Sequence, residues 1–477
     1  MVERMSAADV AFLHRESRTA PQHVGGLLVL TPPAGGFDYD RLVRLLEERI
    51  PLAPRYRQKV RMVPGSVANP VWVDDARFDI TYHVRRSALP RPGTDEQLLE
   101  FCSRVQSRLL DRGRPLWEMY LVEGLAGERV AVVTKTHEAM VGEGGIDLAQ
   151  VLLDAAPEPR RTVSPVWMPE PEPGSAELVL DAVRSVARRP LTVRDPLRAA
   201  GRALSRSALR ATSAAAGLAS LPVAVLRRPE HSPLHAELGE QRRLAVARTR
   251  LIDHRSVRDA FGGSVNDVVL AVVAGALRGW LLSRDEPLPP GTTVRALVPM
   301  SVADAQRIRP LLVDLPVGEP DPVLRLARLR YAMAGHQASG RAVSADRIAG
   351  LSGFAPPTLH ALSARAAGNL ARRLFSLVVT NVPGPQLPLY AAGARLTEMF
   401  PILPLAPGQA VSIALTSYDG GVFYGVNGDR EAMRDVQTFA ASLEESLAEL
   451  VAATRTAAVV AAGEATAARA PSRETDD

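Results

Sequence analysis

Apolar and polar positions fall into two similar blocks along this chain, separated by a proline-rich stretch. In the first block, continuous apolar runs at Val24–Leu30, Trp117–Val122 and Val130–Thr136 read as buried strands, with shorter ones at Val71–Val73 and Asp79–Val84. Asp40–Arg49 and Asp95–Leu110 carry apolar side chains three and four apart, the spacing of a helix with one inward face. The second block repeats the vocabulary. Strands are predicted at Leu244–Leu251, Val294–Pro299, Phe375–Thr380, Ala410–Tyr418 and Val422–Val426, and helices at Ser256–Phe261, Ser264–Leu282 and Asp435–Ala453. Between the blocks, Pro157, Pro165, Pro169, Pro171 and Pro173 mark an extended linker. The boundaries are therefore 1–155, a linker at 156–240, 241–454, and an alanine-rich tail at 455–477 expected to be disordered. This is an α/β chain.

Composition narrows the class. With 46% hydrophobic and 23% charged residues in 477, two large cores are available and disorder is not the default. Cys102, the single cysteine, excludes an internal disulfide framework and fits a reducing compartment. Met1–Leu30 lacks the basic, apolar and small-residue succession of a secretory signal. The most apolar helical run, Val268–Leu277, is about half the length of a bilayer span. The expected location is cytoplasmic.

The net charge of +5 is carried by arginine, since Lys59 and Lys135 are the only lysines. Such a balance suits nucleic acid, anionic lipid or a phosphorylated cofactor. No zinc-finger spacing and no aromatic-laced basic surface is present, which sets nucleic acid aside. Arg198, Arg202, Arg206 and Arg210 recur every fourth residue. That face would rest on an anionic membrane or lipid-droplet surface, or simply be the solvated side of a linker helix.

The chemistry concentrates in Val130–Asp154, VAVVTKTHEAMVGEGGIDLAQVLLD. A buried strand ends at His137-Glu138, a glycine cluster turns the chain, and an amphipathic helix follows. A polar pair ending an apolar strand is where α/β folds place reactive groups, and equally where a strand end meets water. The Gly142-Glu143-Gly144-Gly145 turn lacks the Lys-Ser/Thr of a phosphate loop and the glycine spacing of a dinucleotide fingerprint. There is no Gly-x-Ser-x-Gly elbow, and His137-Glu138 is not followed by the second histidine of a zinc motif. No metal site is expected.

The segment resembles the His-His-x-x-x-Asp-Gly signature of the bacterial wax ester synthase/acyl-CoA:diacylglycerol acyltransferase family. Further stretches are similar to that family in the right order: Asp9, Phe12, Leu13, His23, Val24, Gly25 and Gly26; Pro115, Leu116, Trp117 and Glu118; Asn266 and Asp267; Val298 and Pro299; and Asn381 to Pro385, with Pro383 and Gly384. The resemblance implies two chloramphenicol-acetyltransferase-like domains, each a mixed sheet flanked by helices, with a tunnel between them. It further implies acyl-CoA as co-substrate, a lipid alcohol as acceptor and no bound cofactor. It places Pro115, Leu116, Trp117, Gly142, Gly145, Asn266, Asp267, Asn381, Pro383 and Gly384 in or beside the tunnel, although one of the Asn266-Asp267 pair could equally cap the helix there. Asn381 to Pro385 is expected as a rigid turn.

The departure from the signature bears on catalysis. His137 occupies the first histidine, Glu138 replaces the second, which is the family's proton acceptor, and the aspartate is replaced by Gly142 or deleted. Glutamate is the weaker base by roughly 3 kcal/mol of proton affinity, a gap that burial narrows. Glu138 and His137 are the candidate bases, on opposite faces if the strand runs straight through both. Two functions stay open: an O-acyltransferase making triacylglycerol or wax ester, at full or impaired rate, and a non-catalytic lipid or acyl-CoA binding protein.

Overall fold

The computed structural model describes residues 3–141, 148–160, 167–187, 232–302, 307–339 and 374–469. The first half holds β1 (Glu3–Arg4), α1 (Ala7–Arg15), β2 (His23–Thr31), α2 (Tyr39–Arg49), β3 (Gln58–Arg61), β4 (Val71–Asp74), α3 (Ile80–His83), β5 (Val84–Ala88), α4 (Asp95–Ser107), β6 (Trp117–Glu123), β7 (Val130–His137) and α5 (Leu148–Leu152). After α6 (Ser175–Ala187), the second half holds β8 (Arg242–Arg250), α7 (Leu251–Phe261), α8 (Val265–Leu282), β9 (Val294–Val302), β10 (Arg307–Leu315), α9 (Pro322–Ser339), β11 (Leu377–Pro383), β12 (Tyr390–Ala391), β13 (Ala394–Ile402), β14 (Val411–Tyr418), β15 (Gly421–Asp429) and α10 (Val436–Arg469). Two six-stranded mixed sheets result, ordered β12-β13-β2-β7-β6-β5 and β10-β9-β11-β14-β15-β8, with a small third sheet β1-β4-β3. Each large sheet has its own buried apolar core.

Local chemistry explains the boundaries. Thr94 and Gln97 form a reciprocal capping box that starts α4. Ser264 and Asp267 form another at the start of α8, so Ser264 rather than Asn266 or Asp267 is the cap and Asp267 bonds back to it. Every residue of β7 is buried, as its apolar run requires. The Ser264–Leu282 helix is present as expected. It is long and apolar enough to cross a membrane by length and composition, yet most of it is buried against α9 and α10.

Four expectations need correction. Asp79–Val84 is not a strand: the Asp79 side chain accepts from Thr81 N–H and caps the single turn α3, so pairing begins only at Val84. The helix expected at Ser256 starts at Leu251. Asn381, Val382 and Pro383 do not form a turn but extend β11, opposite Leu415, Thr416 and Ser417 of β14. The strand ends at Pro383 and the chain bends at Gln386 and Leu387; at Gly384 between them a Cβ would lie 2.4 Å from the Ser417 carbonyl oxygen. The tail expected to be disordered from 455 continues α10 to Arg469, carried by its alanines.

The second half lends strands to the first sheet. β13 lies late in the chain but pairs antiparallel with β2 of the first sheet, from Arg395 opposite Thr31 to Ile402 opposite Gly25. A bulge between Leu396 and Glu398 lets the Thr397 hydroxyl donate to Val29 O at 3.0 Å. Where β13 crosses β15, a Cβ on Gly425 would sit 1.9 Å from Pro401 O. Only glycine lets the backbones pass there. Gly425→Ala is therefore expected to cost about 1–3 kcal/mol, read as a lower urea midpoint with an unchanged slope.

The open edge of the second sheet is covered by the first half. Ser103 and Ser107, one turn apart on α4, accept the N–H groups of Leu244 and Arg242 of β8 at 3.0 and 2.9 Å. These hydroxyls replace a neighbouring strand and blunt the edge. Arg248 of β8 pairs with Asp95 at the start of α4 and with Glu398 of β13 at 2.8 and 2.6 Å.

Candidate active site

β7 ends at His137, and the chain then makes a single turn, Glu138–Met140, on which α1 packs. Backbone bonds fix both polar residues. His137 N–H donates to Leu116 O and Glu138 N–H to Gln22 O, each at 2.9 Å. The Pro-Leu-Trp stretch thus supports the strand end through the Leu116 carbonyl. Trp117 is fully buried: it stacks on His83 at 4.7 Å and donates its indole N–H to Tyr56 O at 2.8 Å. Pro115 and Leu116 precede it in the same buried connection.

The structure separates the two candidate bases. The His137 ring is wholly buried; its Nδ1 accepts Ala139 N–H at 3.0 Å and its Nε2 lies 3.4 Å from Glu16 Oε1. His23, directly opposite on β2, points Nε2 at the same oxygen from 3.0 Å. Glu16 Oε2 takes Arg112 from Nε at 3.0 Å and the terminal nitrogen at 2.7 Å. Burial opposes charge on Glu16, yet the facing imidazoles of His137 and His23 hold its carboxyl well below the usual carboxylate range. Burial lowers His23 to about 4 against the pull of Glu16, so that ring is neutral near pH 7.

Glu138 differs. It is only partly exposed, and burial raises its carboxyl to about 7, with Arg15 as the opposing influence. Arg15 ends α1, and its guanidinium lies over the Phe12 ring at 4.5 Å. Burial lowers its pKa too, while Glu138 works the other way.

Asn266 and Asn381, far apart in sequence, come together: the Asn381 amide donates to Asn266 Oδ1 at 3.4 Å. Asn266 Nδ2 is buried and has no partner among the described residues. Asp267 serves the helix cap, Pro383 ends β11 and Gly384 follows it. Gly142 and Gly145 lie outside the described residues, as do Arg198, Arg202, Arg206 and Arg210. Glu16, Arg15 and Arg112 carry no motif signal of their own in the sequence. His23 stands within the N-terminal resemblance but has no role assigned by it. Among the described residues, no group of three His, Cys, Asp or Glu side chains is placed to hold a metal.

Two mixed sheets, the first completed by a strand from the second half, with a polar pair at the end of a buried strand, define the class of two-domain chloramphenicol-acetyltransferase-like proteins. A condensation domain of the CDA synthetase shares this fold at a TM-score of 0.54 and 14% identity, over 95% of this chain and 96% of that one. The wax ester synthase/diacylglycerol acyltransferase from Marinobacter aquaeolei VT8 is more similar, with a TM-score of 0.68 and 28% identity over 94% of this chain and 99% of that one. Residues 5–269 match the model of the wax ester synthase/diacylglycerol acyltransferase catalytic domain, and residues 306–451 that of the family's C-terminal domain. The probable diacylglycerol O-acyltransferase tgs2 of Mycobacterium tuberculosis is 35% identical over 475 residues, covering 94% of this chain and 99% of that protein. The chain belongs to the wax ester synthase/diacylglycerol acyltransferase family.

Proposed function

We propose that this chain is an active acyl-CoA-dependent O-acyltransferase that transfers a long-chain acyl group to diacylglycerol or a fatty alcohol, with Glu138 as its proton acceptor. The observation that carries this reading is a carboxyl at the strand end, on a partly exposed residue, whose pKa burial raises to about 7. The weakness of glutamate as a base was the ground for a non-catalytic reading. A carboxyl near 7 is as basic as an ordinary imidazole, so that ground falls away.

In this reading Glu138 takes the hydroxyl proton as the alcohol oxygen attacks the thioester carbonyl carbon. The carbon–sulfur bond breaks, and the protonated carboxyl returns its proton to the leaving CoA thiolate. Burial keeps the carboxylate basic, and Arg15 limits how far its pKa rises. The Asn266–Asn381 pair would line the acyl path with the Asn266 amide. His137 is buried away from this chemistry and supports the turn. No bound cofactor takes part.

A lipid acceptor would be met at a membrane or lipid-droplet surface in the cytoplasm, through the basic run Arg198, Arg202, Arg206 and Arg210. Supporting this, α6 lies just ahead of that run and leaves Leu180 and Val183 exposed beside Pro64.

The test is CoA release from a long-chain acyl-CoA with diacylglycerol or fatty alcohol added. Acceptor-dependent turnover is expected, and acyl-CoA binding without turnover above background would overturn the proposal. The pH profile gives a second check. Glu138 must be ionised to accept a proton, so kcat should rise with pH to a half-maximum near 7 rather than near the ordinary glutamate value of 4.5.

A further inference from the structure

The Glu16 carboxylate lies outside the reacting groups, yet its side chain is 3% exposed and carries four close contacts. Its Oε2 is occupied by the fork of Arg112. Its Oε1 faces Nε2 of both His23 and His137. Among the described residues neither Oε1 nor the two Nε2 atoms makes a well-aligned hydrogen bond, but a carboxylate 3.4 Å from His137 Nε2 favours a proton on that nitrogen over a lone pair. On His137 this leaves Nδ1 as a bare acceptor, and Nδ1 is the atom that takes the Ala139 N–H. Ala139 follows Glu138 in the turn whose other anchor is the Gln22 carbonyl.

We infer that Glu16 is a positioning residue: it locks His137 in the Nε2–H tautomer and thereby holds the turn that presents Glu138. The line of contacts runs from Arg112 through Glu16 and His137 to Ala139 N–H, and each member fixes the next. Were His137 to carry its proton on Nδ1, that proton would meet the Ala139 N–H head-on, and the turn would have to move. A glutamine at position 16 can donate as well as accept, so it removes the lock while keeping the size of the side chain. This inference rests on Glu138 being the proton acceptor only for its effect on rate, since the tautomer can be read without turnover.

The experiment compares the wild-type chain with Glu16→Gln by nitrogen-15 spectra of the histidine rings, the His137 signals being assigned through His137→Asn. The same proteins are assayed for kcat and for KM with a long-chain acyl-CoA. The wild type is expected to show His137 protonated at Nε2 only. Glu16→Gln should show Nδ1 protonation and a kcat lower by about 10²-fold with KM unchanged, the scale of a displaced reacting group. Glu16→Asp, which keeps the charge, should retain Nε2–H and recover most of the rate. If Glu16→Gln does not fold, Glu16→Asp against the wild type is judged on the tautomer alone, and an Nδ1–H ring in either overturns the inference. An unchanged tautomer in Glu16→Gln, or a changed tautomer with an unchanged kcat, also overturns it. Full activity in Glu138→Gln would instead refute the proton acceptor and leave the tautomer result standing.

Discussion

Glu138→Gln is expected to lower acceptor-dependent CoA release by about 10²–10⁴-fold while making the protein more stable above neutral pH. The two effects share one cause. The amide cannot take the hydroxyl proton, and it also carries no charge to be desolvated. Because burial raises the Glu138 pKa from 4.5 to about 7, the folded state binds that proton more tightly than the unfolded chain does. Stability linked to this group is therefore fully present below about 4.5 and is lost as the pH rises to about 7. At pH 8 the glutamine variant should gain on the order of 2 kcal/mol, discounted for the partial exposure of the residue. At pH 4.5 most of the gain should vanish. Urea titrations at the two pH values check the sign, and a variant that is inactive and less stable at pH 8 would remove the desolvated carboxylate from the account.

The second large effect is expected at Asp154. Arg49 of α2 is fully buried and pairs with the Asp154 carboxylate; its other terminal nitrogen donates to Val151 O and Leu152 O at the end of α5. The Asp154 backbone in turn exchanges hydrogen bonds with Tyr390 of β12, 2.8 Å each way. Asp154→Ala strands a guanidinium in the core without a counter-charge, so the loss should be about 3–5 kcal/mol. Arg160 keeps its own side chain mostly in water and offers Arg49 nothing. The double change Asp154→Leu with Arg49→Met should recover much of the loss, since apolar residues of similar size can replace a buried pair. Urea unfolding of the two single variants and the pair reads this directly. No recovery in the pair would mean that the bonds from Arg49 to the α5 carbonyls, which Arg49→Met removes, matter as much as the charge pair.

The fold and the polar pair were partly legible in the sequence, whereas nothing local marks Arg49 and Asp154 as partners. β6 and β7 were readable because they are buried along most of their length, and β2 because Leu27–Leu30 is buried without a break, which demands apolar runs. α3 was not, because Ile80, Thr81 and Tyr82 favour strand by residue type and were overridden by the Asp79 cap beside them. β13 escaped notice because its partner lies far upstream, and because the bulge at Leu396–Glu398 breaks the alternation of Ala394, Leu396, Phe400 and Ile402. The polar pair His137-Glu138 stood out at the end of an apolar strand. Which of the two is sealed inside depends on Glu16 and Arg112, brought in from α1 and from the α4–β6 connection. No local pattern announces contacts of that kind. The same holds for Asn266 and Asn381, visible as separate motifs but joined only by the packing of α8 against β11.

The borrowed strand sets a timetable for synthesis. β7, β6 and β5 leave the ribosome early, but the outer flank of β2 has no partner until residue 402 has been made. At about 5–20 residues per second this leaves a nascent sheet margin exposed for on the order of 10–50 s. A polypeptide cut short anywhere before β13 would keep that margin for good, available to any other extended peptide nearby.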